Sequence, residues 1–279
     1  MRISAPYDLK NQTPRPRSVQ KMWRRDALRR AAPLLTLLLV LAVWQLVTLL
    51  QIYPALIIPA PLTVLEKFIE VVSDGRLWPH LQATLVAVLA ALAFGSFAGL
   101  VLGYLIAKSP LLENLLSPLI IAFQATPIVA YAPLLVIWFG SGPESKIVTA
   151  TLIVFFPMLM NTIVGIRSVP PGLRDVMRAL RASRWQMFAK LEVPAAMPLL
   201  IGGLKMSATL AVIGAVVGEF IAARAGLGYL INAARTAFDT PLVIVAVLTL
   251  TALALTLYSL VGLLARYALA WQRRAQRGQ

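Results

Sequence analysis

The stretch RSVPPGLRDVMRALRASRWQMFAKLEVP, which runs from Arg167 to Pro194, decides how the rest of this chain is interpreted. It is polar and basic, and apolar segments long enough to cross a bilayer lie on both sides of it. The sequence Pro170-Pro171-Gly172 is expected to end the preceding helix and to turn the chain. Two short amphipathic pieces between two membrane spans would present a surface to a molecule outside the bilayer.

The composition indicates a membrane protein. Of the 279 residues, 59% are hydrophobic and only 13% are charged, whereas about a quarter of the residues in a soluble domain are charged. The mean hydropathy is +0.79. We therefore predict an all-α, polytopic membrane protein. Its six transmembrane helices are expected at about 32–52, 85–107, 118–139, 147–166, 199–221 and 241–265. Shorter interfacial helices are expected at about 61–74, 111–116 and 173–180.

The distribution of Lys and Arg predicts the orientation of the chain in the membrane. With the N-terminus inside, the inner side collects 20 basic residues and the outer side five, while Lys205 lies within a span. This predicts a basic cytoplasmic tail at 1–31, a transmembrane domain at 32–265 that contains the 167–194 loop, and a basic cytoplasmic tail at 266–279. Because the net charge of +15 lies mainly beside the spans, it indicates contact with membrane lipid, and nucleic acid is not expected as a partner.

The loop has the pattern of two short helices. Ser183 and Gln186 fit the N-cap and N3 positions of a capping box, which would begin the second helix. In the first helix, apolar and basic residues recur on separate faces at i, i+4 and i+7. The apolar set is Leu173, Met177 and Leu180, and the basic set is Arg174, Arg178 and Arg181, with Asp175 in the first turn. The sequence predicts a helix–turn–helix on the membrane surface with its arginines exposed.

Two uses of this basic surface remain open on physical grounds. A basic amphipathic segment can rest on anionic lipid, or it can dock another protein. The two-helix layout and the position between two spans favour docking.

Catalysis by this chain is not expected. It has no cysteine and only one histidine, His80, which excludes disulfides, thiol nucleophiles and histidine metal clusters. It contains no G-x-x-x-x-G-K-[ST] loop for nucleotide phosphates, and Gly226-Leu227-Gly228 lacks the third glycine of a dinucleotide site. We expect no metal, nucleotide or other cofactor on this chain.

Polar residues inside spans are costly and mark candidate contacts for a solute. The uncharged candidates are Gln124, Thr126, Pro127, Tyr131 and Asn161. Pro127 would break the helical hydrogen bonds of the third span, which would either line the path or form a packed kink. Glu219 would line an outer gate or form a solvated helix end, and Lys205 would extend its ammonium to the membrane surface. This weakly charged set suits a neutral or singly charged small solute.

Small residues recur every four positions in the second span, at Gly95, Gly99 and Gly103. Such spacing lets helix backbones approach closely in lipid. The helix they contact would belong to the same subunit or to a second one.

At the loop, the chain resembles the permease subunits of ABC importers, whose cytoplasmic loop is written EAA…G…I-x-L-P. Asp175-Val176-Met177 stand at the EAA positions, Arg181 at the glycine, and Leu191-Glu192-Val193-Pro194 at the closing segment, where only the proline is identical. Closer matches are to the branch that serves nitrate, sulfonates, taurine and pyrimidine precursors, and the resemblance covers about 45–270. The segments that match this branch are Pro59-Ala60-Pro61, Trp138-Phe139-Gly140, Phe155-Phe156-Pro157, Ala182-Ser183-Arg184-Trp185, Pro194-Ala195-Ala196-Met197-Pro198, Gly218-Glu219-Phe220 and Gly226-Leu227-Gly228.

The resemblance implies a role and a set of partners. The loop would be a coupling helix that inserts into an ATP-hydrolysing subunit. The contacts would come from Arg174, Asp175, Arg178, Ala179, Arg181, Ala182, Ser183, Arg184 and Trp185. Two copies of that subunit, which bind the ATP and Mg²⁺, would drive a homodimer of this permease between inward-open and outward-open forms in a bacterial inner membrane. A periplasmic solute-binding protein would deliver the solute. The sequence around Phe156-Pro157, Asn161 and Val217–Glu219 looks most like that of pyrimidine-precursor permeases, which favours a heteroaromatic vitamin-type molecule such as a pyrimidine precursor.

Arg181 departs from the family pattern, because the glycine there permits a left-handed turn. An arginine in that conformation costs about 1 kcal/mol, so either the turn is right-handed or the strain is tolerated. Two other classes of protein remain as alternatives. One is a secondary transporter driven by an ion gradient, which inverted repeats and ionisable midplane residues would favour. The other is a membrane scaffold whose loop binds only lipid.

Overall fold

The computed structural model describes residues 19–270, and it contains helices and no strand over that range. The helices are α1 Val19–Leu49, α2 Pro61–Ser73, α3 Leu77–Lys108, α4 Pro110–Ala125, α5 Ala132–Phe139, α6 Pro143–Arg167, α7 Pro171–Ala179, α8 Arg184–Met187, α9 Val193–Ala222, α10 Leu227–Thr236 and α11 Thr240–Ala268. A 3₁₀ turn at Ile128–Ala130 precedes α5, and a π-helical segment at Phe188–Glu192 joins α8 to α9. The predicted tails at 1–31 and 266–279 fall partly outside the described residues and stay predictions.

The chain divides into two compact units, Met1–Pro61 and Leu62–Gln279. In the first, α1 ends in an irregular segment that the indole N–H of Trp44 holds by donating to the carbonyl of Pro59 at 3.0 Å. The side chains of α1 from Leu34 to Val40 that the structure describes are exposed and almost all apolar. Such a surface is typical of a helix in contact with lipid.

Within the described part of the second unit, four helices are long and apolar enough to cross a membrane, namely Leu77–Lys108, Pro143–Arg167, Arg184–Ile221 and Thr240–Ala268. A shorter apolar helix, Pro110–Ala125, also lies in this unit, and another, Leu34–Leu49, is part of α1 in the first unit. The predicted fold class, an all-helical polytopic membrane protein, is therefore confirmed.

Two local predictions need correction. The break predicted at Pro127 is present, because the helical hydrogen bonds stop at Ala125 and resume at Ala132, but the helix before it begins at Pro110 and not at about 118 as predicted. The separate interfacial helix predicted at 111–116 is instead the beginning of α4. Ser109 caps that helix by accepting the N–H of Leu112 at 3.3 Å, and the helix continues through Pro118.

The core of the second unit is built around α6, which packs against α3 on one side and α9 on the other. The glycine series of α3 makes the first contact. A Cβ added at Gly95, Gly99 or Gly103 would lie 2.7–2.9 Å from side chains or backbone of α6. These glycines therefore pack within the subunit, which answers the question that their spacing left open.

Candidate functional site

The 167–194 loop folds as two short helices with a sharp turn between them. Helix α7 ends in a Schellman arrangement, in which the N–H of Ala182 donates to the carbonyl of Met177 at 3.0 Å. Arg181 occupies the position of the turn that favours glycine, and its φ is +54°. The left-handed turn is thus retained, and the arginine carries its strain.

The second helix begins as predicted. The backbone N–H of Ser183 donates to Gln186 Oε1 at 2.8 Å, and the N–H of Gln186 donates to Ser183 Oγ at 3.2 Å. This reciprocal pair is a complete capping box. The loop therefore has a defined geometry on both sides of Arg181.

The loop presents apolar side chains as well as charge. Val176 is 55% exposed, Leu180 73% and Trp185 71%, while Met177 is half-buried. We name Val176, Leu180, Trp185 and the exposed Arg178 the loop surface, and Arg181, also exposed, forms the turn beside it. Of the other predicted loop contacts, Asp175, Ala179, Ser183 and Arg184 are exposed and Ala182 is half-buried.

The arginines of α7 differ in environment, which corrects the prediction that all are exposed. Arg178 is exposed and pairs with Asp175 at 3.1 Å. Arg174 instead folds back on α6, where its Nη2 donates to the carbonyl of Ile166 at 2.6 Å and its Nε is buried. Arg174 completes the free carbonyl end of α6, so that its contribution is structural.

The base of the loop contains a buried carboxylate that sequence reasoning missed. Glu192 is 0% exposed; it accepts the Tyr104 hydroxyl at 3.1 Å and pairs with the Lys108 ammonium. Tyr104 also meets the Phe188 ring edge-on, with ring centroids 5.1 Å apart. The available signal was an isolated acid in an apolar segment together with the lone lysine that ends α3.

An apolar groove of about 520 Å³ lies between α4 and α6, beside the same end of the bundle. Its lining includes Ile120, Gln124 and Met160. Two further lining residues form an ion pair, in which Arg167 donates from both Nη atoms to the Glu113 carboxylate, each at 2.7 Å. Gln124 lines this groove, whereas the other predicted path residues do not.

The other uncharged path candidates lie elsewhere. Thr126 and Pro127 form the break after α4, and Thr126 Oγ1 donates to the carbonyl of Ala122 at 3.1 Å. Tyr131 is half-buried, with its ring 6.1 Å from that of Phe123. Asn161 faces α9, where it meets Gly203 and donates to the carbonyl of Pro157 at 2.8 Å.

Glu219 lies at the opposite end of the bundle and is buried, with 1% of its surface exposed. Its Oε1 accepts the hydroxyl of Thr84 at 2.7 Å, and its Oε2 accepts the N–H of Gly228 at 2.7 Å. Lys146, also buried, donates to the carbonyl of Ala225 at 2.7 Å, and His80 Nδ1 accepts the N–H of Gly226 at 3.2 Å. Three helices therefore converge on residues 225–228, and this arrangement favours an anchoring role for Glu219.

A charged cluster outside the long helices joins α2 to the beginning of α11. Lys67 Nζ lies 3.0 Å from Glu70 Oε2 and 3.4 Å from Asp239 Oδ2. Hydrogen bonds from Lys67 and Arg76 hold the pKa of Glu70 below its ordinary value, and hydrogen bonding from the Arg76 backbone does the same for Asp74. Glu70, Asp74 and Arg76 are exposed and Lys67 and Asp239 are half-buried, so solvent screens most of these charges and the cluster contributes only modestly to stability at neutral pH.

Over residues 19–270, no group of three His, Cys, Asp or Glu side chains is placed to hold a metal ion. Lys205 lies within α9, with its ammonium 5.6 Å from the centre of the Tyr258 ring. The described part of the chain thus offers two structured features at the loop end, the loop surface and the α4–α6 groove.

The sequence is similar to those of known transport permeases. The chain is 46% identical to the riboflavin transport system permease protein RibX of Chloroflexus aurantiacus, over 93% of this chain and 96% of that protein. It is 31% identical to the formylaminopyrimidine transport permease protein ThiX of Halalkalibacterium halodurans, over 87% and 96% respectively.

A solved structure of the MetNI methionine ABC transporter in an inward-facing conformation has a similar fold. The TM-score is 0.62 at 19% identity, over 70% of this chain and 98% of that one. The family model for the binding-protein-dependent transport system inner membrane component matches residues 95–270. The chain therefore belongs to this family, the membrane-embedded permeases of ABC transporters.

Proposed function

We propose that this chain is the permease subunit of an ATP-driven importer and that its loop surface docks into an ATP-hydrolysing partner. The loop geometry supports this most directly. Exposed Leu180 and Trp185 stand beside exposed arginines on two helices fixed by a capping box and a Schellman turn. Binding to lipid needs an amphipathic face but no fixed turn, whereas docking into a shaped groove gains from such preorganisation.

The orientation and the partners follow from the same proposal. With 20 basic residues inside and five outside, the loop and both termini face the cytoplasm. A solute-binding protein delivers its cargo to the opposite face, where the Glu219 cluster holds residues 225–228. A second copy of this chain closes the α4–α6 groove, and two ATPase copies supply ATP and Mg²⁺.

For the solute, we propose a small heteroaromatic molecule of the flavin or pyrimidine type. RibX and ThiX are named for transport of such ring systems, and RibX matches over nearly the full length of both chains. The groove is mostly apolar, with the amide of Gln124 available for a hydrogen bond. An apolar site with a few polar groups suits a flat, weakly charged ring.

The test has two parts, both made on the tagged full-length chain from its native membranes. The first is a mild-detergent pull-down, which we expect to recover a P-loop ATPase. The second is uptake of labelled riboflavin by reconstituted vesicles, with formylaminopyrimidine and taurine as competitors. We expect uptake to require ATP and to be inhibited by unlabelled riboflavin and by formylaminopyrimidine more than by taurine.

Two results would contradict the proposal. A chain that purifies without an ATPase and whose uptake stops when an ionophore dissipates the proton or sodium gradient would be a secondary transporter. If taurine competes better than either ring compound, the chain is still an importer but the proposed solute is wrong.

A further inference from the structure

A continuous series of side chains leads from the loop surface into α3. Trp185 is exposed on the loop surface, and its ring lies 5.5 Å from that of Phe188. Phe188 in turn meets Tyr104 of α3 edge-on, at 5.1 Å between ring centroids. Each contact is within the range in which aromatic rings attract one another.

Beyond Tyr104, the series continues as a polar node. The hydroxyl of Tyr104 donates to Glu192 Oε2 at 3.1 Å, and the other oxygen of Glu192 pairs with the ammonium of Lys108. Glu192 has no exposed surface, so loss of either partner leaves a buried charge less well compensated. The node therefore joins the end of α3 firmly to the base of the loop.

The backbone between the loop and α9 has an uncommon form. Phe188 and Glu192 are the first and last residues of a π-helical segment. Such segments are rare and occur frequently at functional sites. Here the wider turn brings the Phe188 ring and the Glu192 carboxylate to the same helix, α3.

Space for movement adjoins these contacts. A crevice of about 390 Å³, lined by apolar side chains that include Leu105, Ile166 and Leu200, borders Phe188 and Tyr104. A ring beside such a crevice can shift without first displacing a packed core. On the far side, Gly103 lies against Thr162, so α3 and α6 are in close contact where the series ends.

We infer that Phe188, Tyr104 and Glu192 are positioning residues that connect the loop surface to α3. The inference rests on the proposed function and adds the route by which the loop acts on the membrane helices. When the ATPase moves Trp185, the Phe188 ring presses on Tyr104 and the Glu192 node draws the end of α3 with it. Helix α3 then carries the movement to α6, which borders the α4–α6 groove.

The experiment uses the complex of the tagged chain with the ATPase that co-purifies with it, reconstituted with riboflavin as the solute. Riboflavin uptake and ATP hydrolysis are measured together, and the readout is uptake per ATP hydrolysed. Tyr104→Phe removes only the hydroxyl bonded to Glu192, and Phe188→Leu removes the aromatic contact. Tyr258→Phe is the matched control, since it makes the same chemical change in α11 and keeps the ring near Lys205.

We expect both variants to bind the ATPase as the unaltered chain does. Uptake per ATP should fall by about two- to thirtyfold, which is the range by which mutations along coupled networks change the coupling between two sites. The double variant should lose less than the product of the two single losses, because the residues act in one series. Tyr258→Phe should leave the ratio unchanged. A residue with a merely structural role would lower the amount of complex without changing the ratio.

The failures are distinguishable. An unaltered chain that captures no ATPase contradicts the proposed function. Captured ATPase with unchanged uptake per ATP in both Tyr104→Phe and Phe188→Leu overturns this inference and leaves the proposed function standing. Multiplicative losses in the double variant would also overturn it, since they would show that the two contacts act separately.

Discussion

Glu219 Oε2 accepts the backbone N–H of Gly228 at 2.7 Å, and this bond joins two motifs that are separate in the sequence. Gly226 has a φ of +129°, and a Cβ there would overlap the Glu219 carboxylate. The Glu219 carboxylate therefore leaves room only for glycine at position 226, and it supplies the acceptor for the backbone N–H of Gly228. Thr84 completes the arrangement, because its hydroxyl accepts the N–H of Leu227 at 2.8 Å while it donates to Glu219.

Glu219→Ala should lower the free energy of unfolding by about 2–3 kcal/mol, because it leaves the buried N–H of Gly228 and the hydroxyl of Thr84 without their acceptor. Thermal unfolding in detergent measures the change. Glu144→Ala, at an exposed carboxylate in the first turn of α6, serves as the control and should have little effect. Equal stability of the Glu219 and Glu144 variants would contradict the anchoring role.

Arg181→Gly should stabilise the loop by about 1 kcal/mol, because glycine adopts the left-handed turn without strain. We expect ATPase activity coupled to transport to be unchanged or mildly improved. Arg181→Ala is the informative control, because it removes the guanidinium while keeping a Cβ at φ +54°. Loss of coupled ATPase activity in both variants would show that the guanidinium itself is a contact.

Arg178→Glu should weaken capture of the ATPase at least about tenfold without destabilising the chain. Arg178 is exposed, its pair with Asp175 is worth little, and reversal of charge places two carboxylates beside a partner that accepts a basic surface. Arg174→Glu should instead lower the unfolding temperature, because Arg174 holds the end of α6. A pull-down and a thermal melt of each variant separate these effects, and unchanged capture in Arg178→Glu would argue against a docking role for this arginine.

Acid should weaken the attachment of α2. The pKa of Glu70 is lowered from its ordinary 4.5 by hydrogen bonds from Lys67 and Arg76, and that of Asp74 from 3.8 by Arg76. A carboxyl group whose pKa is lowered by folding stabilises the protein at every pH above its ordinary pKa. That stabilisation is lost as the pH falls through the lowered pKa. The unfolding temperature should therefore be steady from about pH 6 to 5 and show only a small fall below about pH 4.5, because ion pairs at exposed carboxylates contribute little. Glu70→Gln should reduce the fall, and Glu66→Gln, an exposed acid on the same helix, should not.

Much of this architecture was predictable because membrane spans and helix caps are local features of sequence. The apolar runs located the long helices, and Ser183 with Gln186 located α8. Pro127 indicated the break after α4, but the length of α4 depended on a cap at Ser109 that a hydropathy pattern does not detect.

The contacts between distant segments were not predictable in the same way. Periodicity placed Arg174 beside Arg178 on one face, yet the free carbonyl of Ile166 attracts the first and not the second. Glu192 and Glu219 each find partners more than 80 residues away, at Lys108 and Thr84. Composition identifies such acids as unusual, whereas only the packing of helices shows what satisfies them.

Gly95→Ala should destabilise the chain by about 1–3 kcal/mol, because the added Cβ would lie 2.7 Å from Val154 Cγ1 and 2.8 Å from the carbonyl oxygen of Thr151. The carbonyl belongs to the backbone of α6, so the overlap is relieved only if the two helices separate. Gly202→Ala is the matched control, since nothing lies within 4 Å of its Cβ and alanine favours a helix over glycine by up to about 1 kcal/mol. Thermal melts in detergent should therefore shift in opposite directions for the two substitutions. A Gly95→Ala variant as stable as Gly202→Ala would mean that α3 and α6 are less closely packed in the membrane, and that movement at Tyr104 would then reach α6 only weakly.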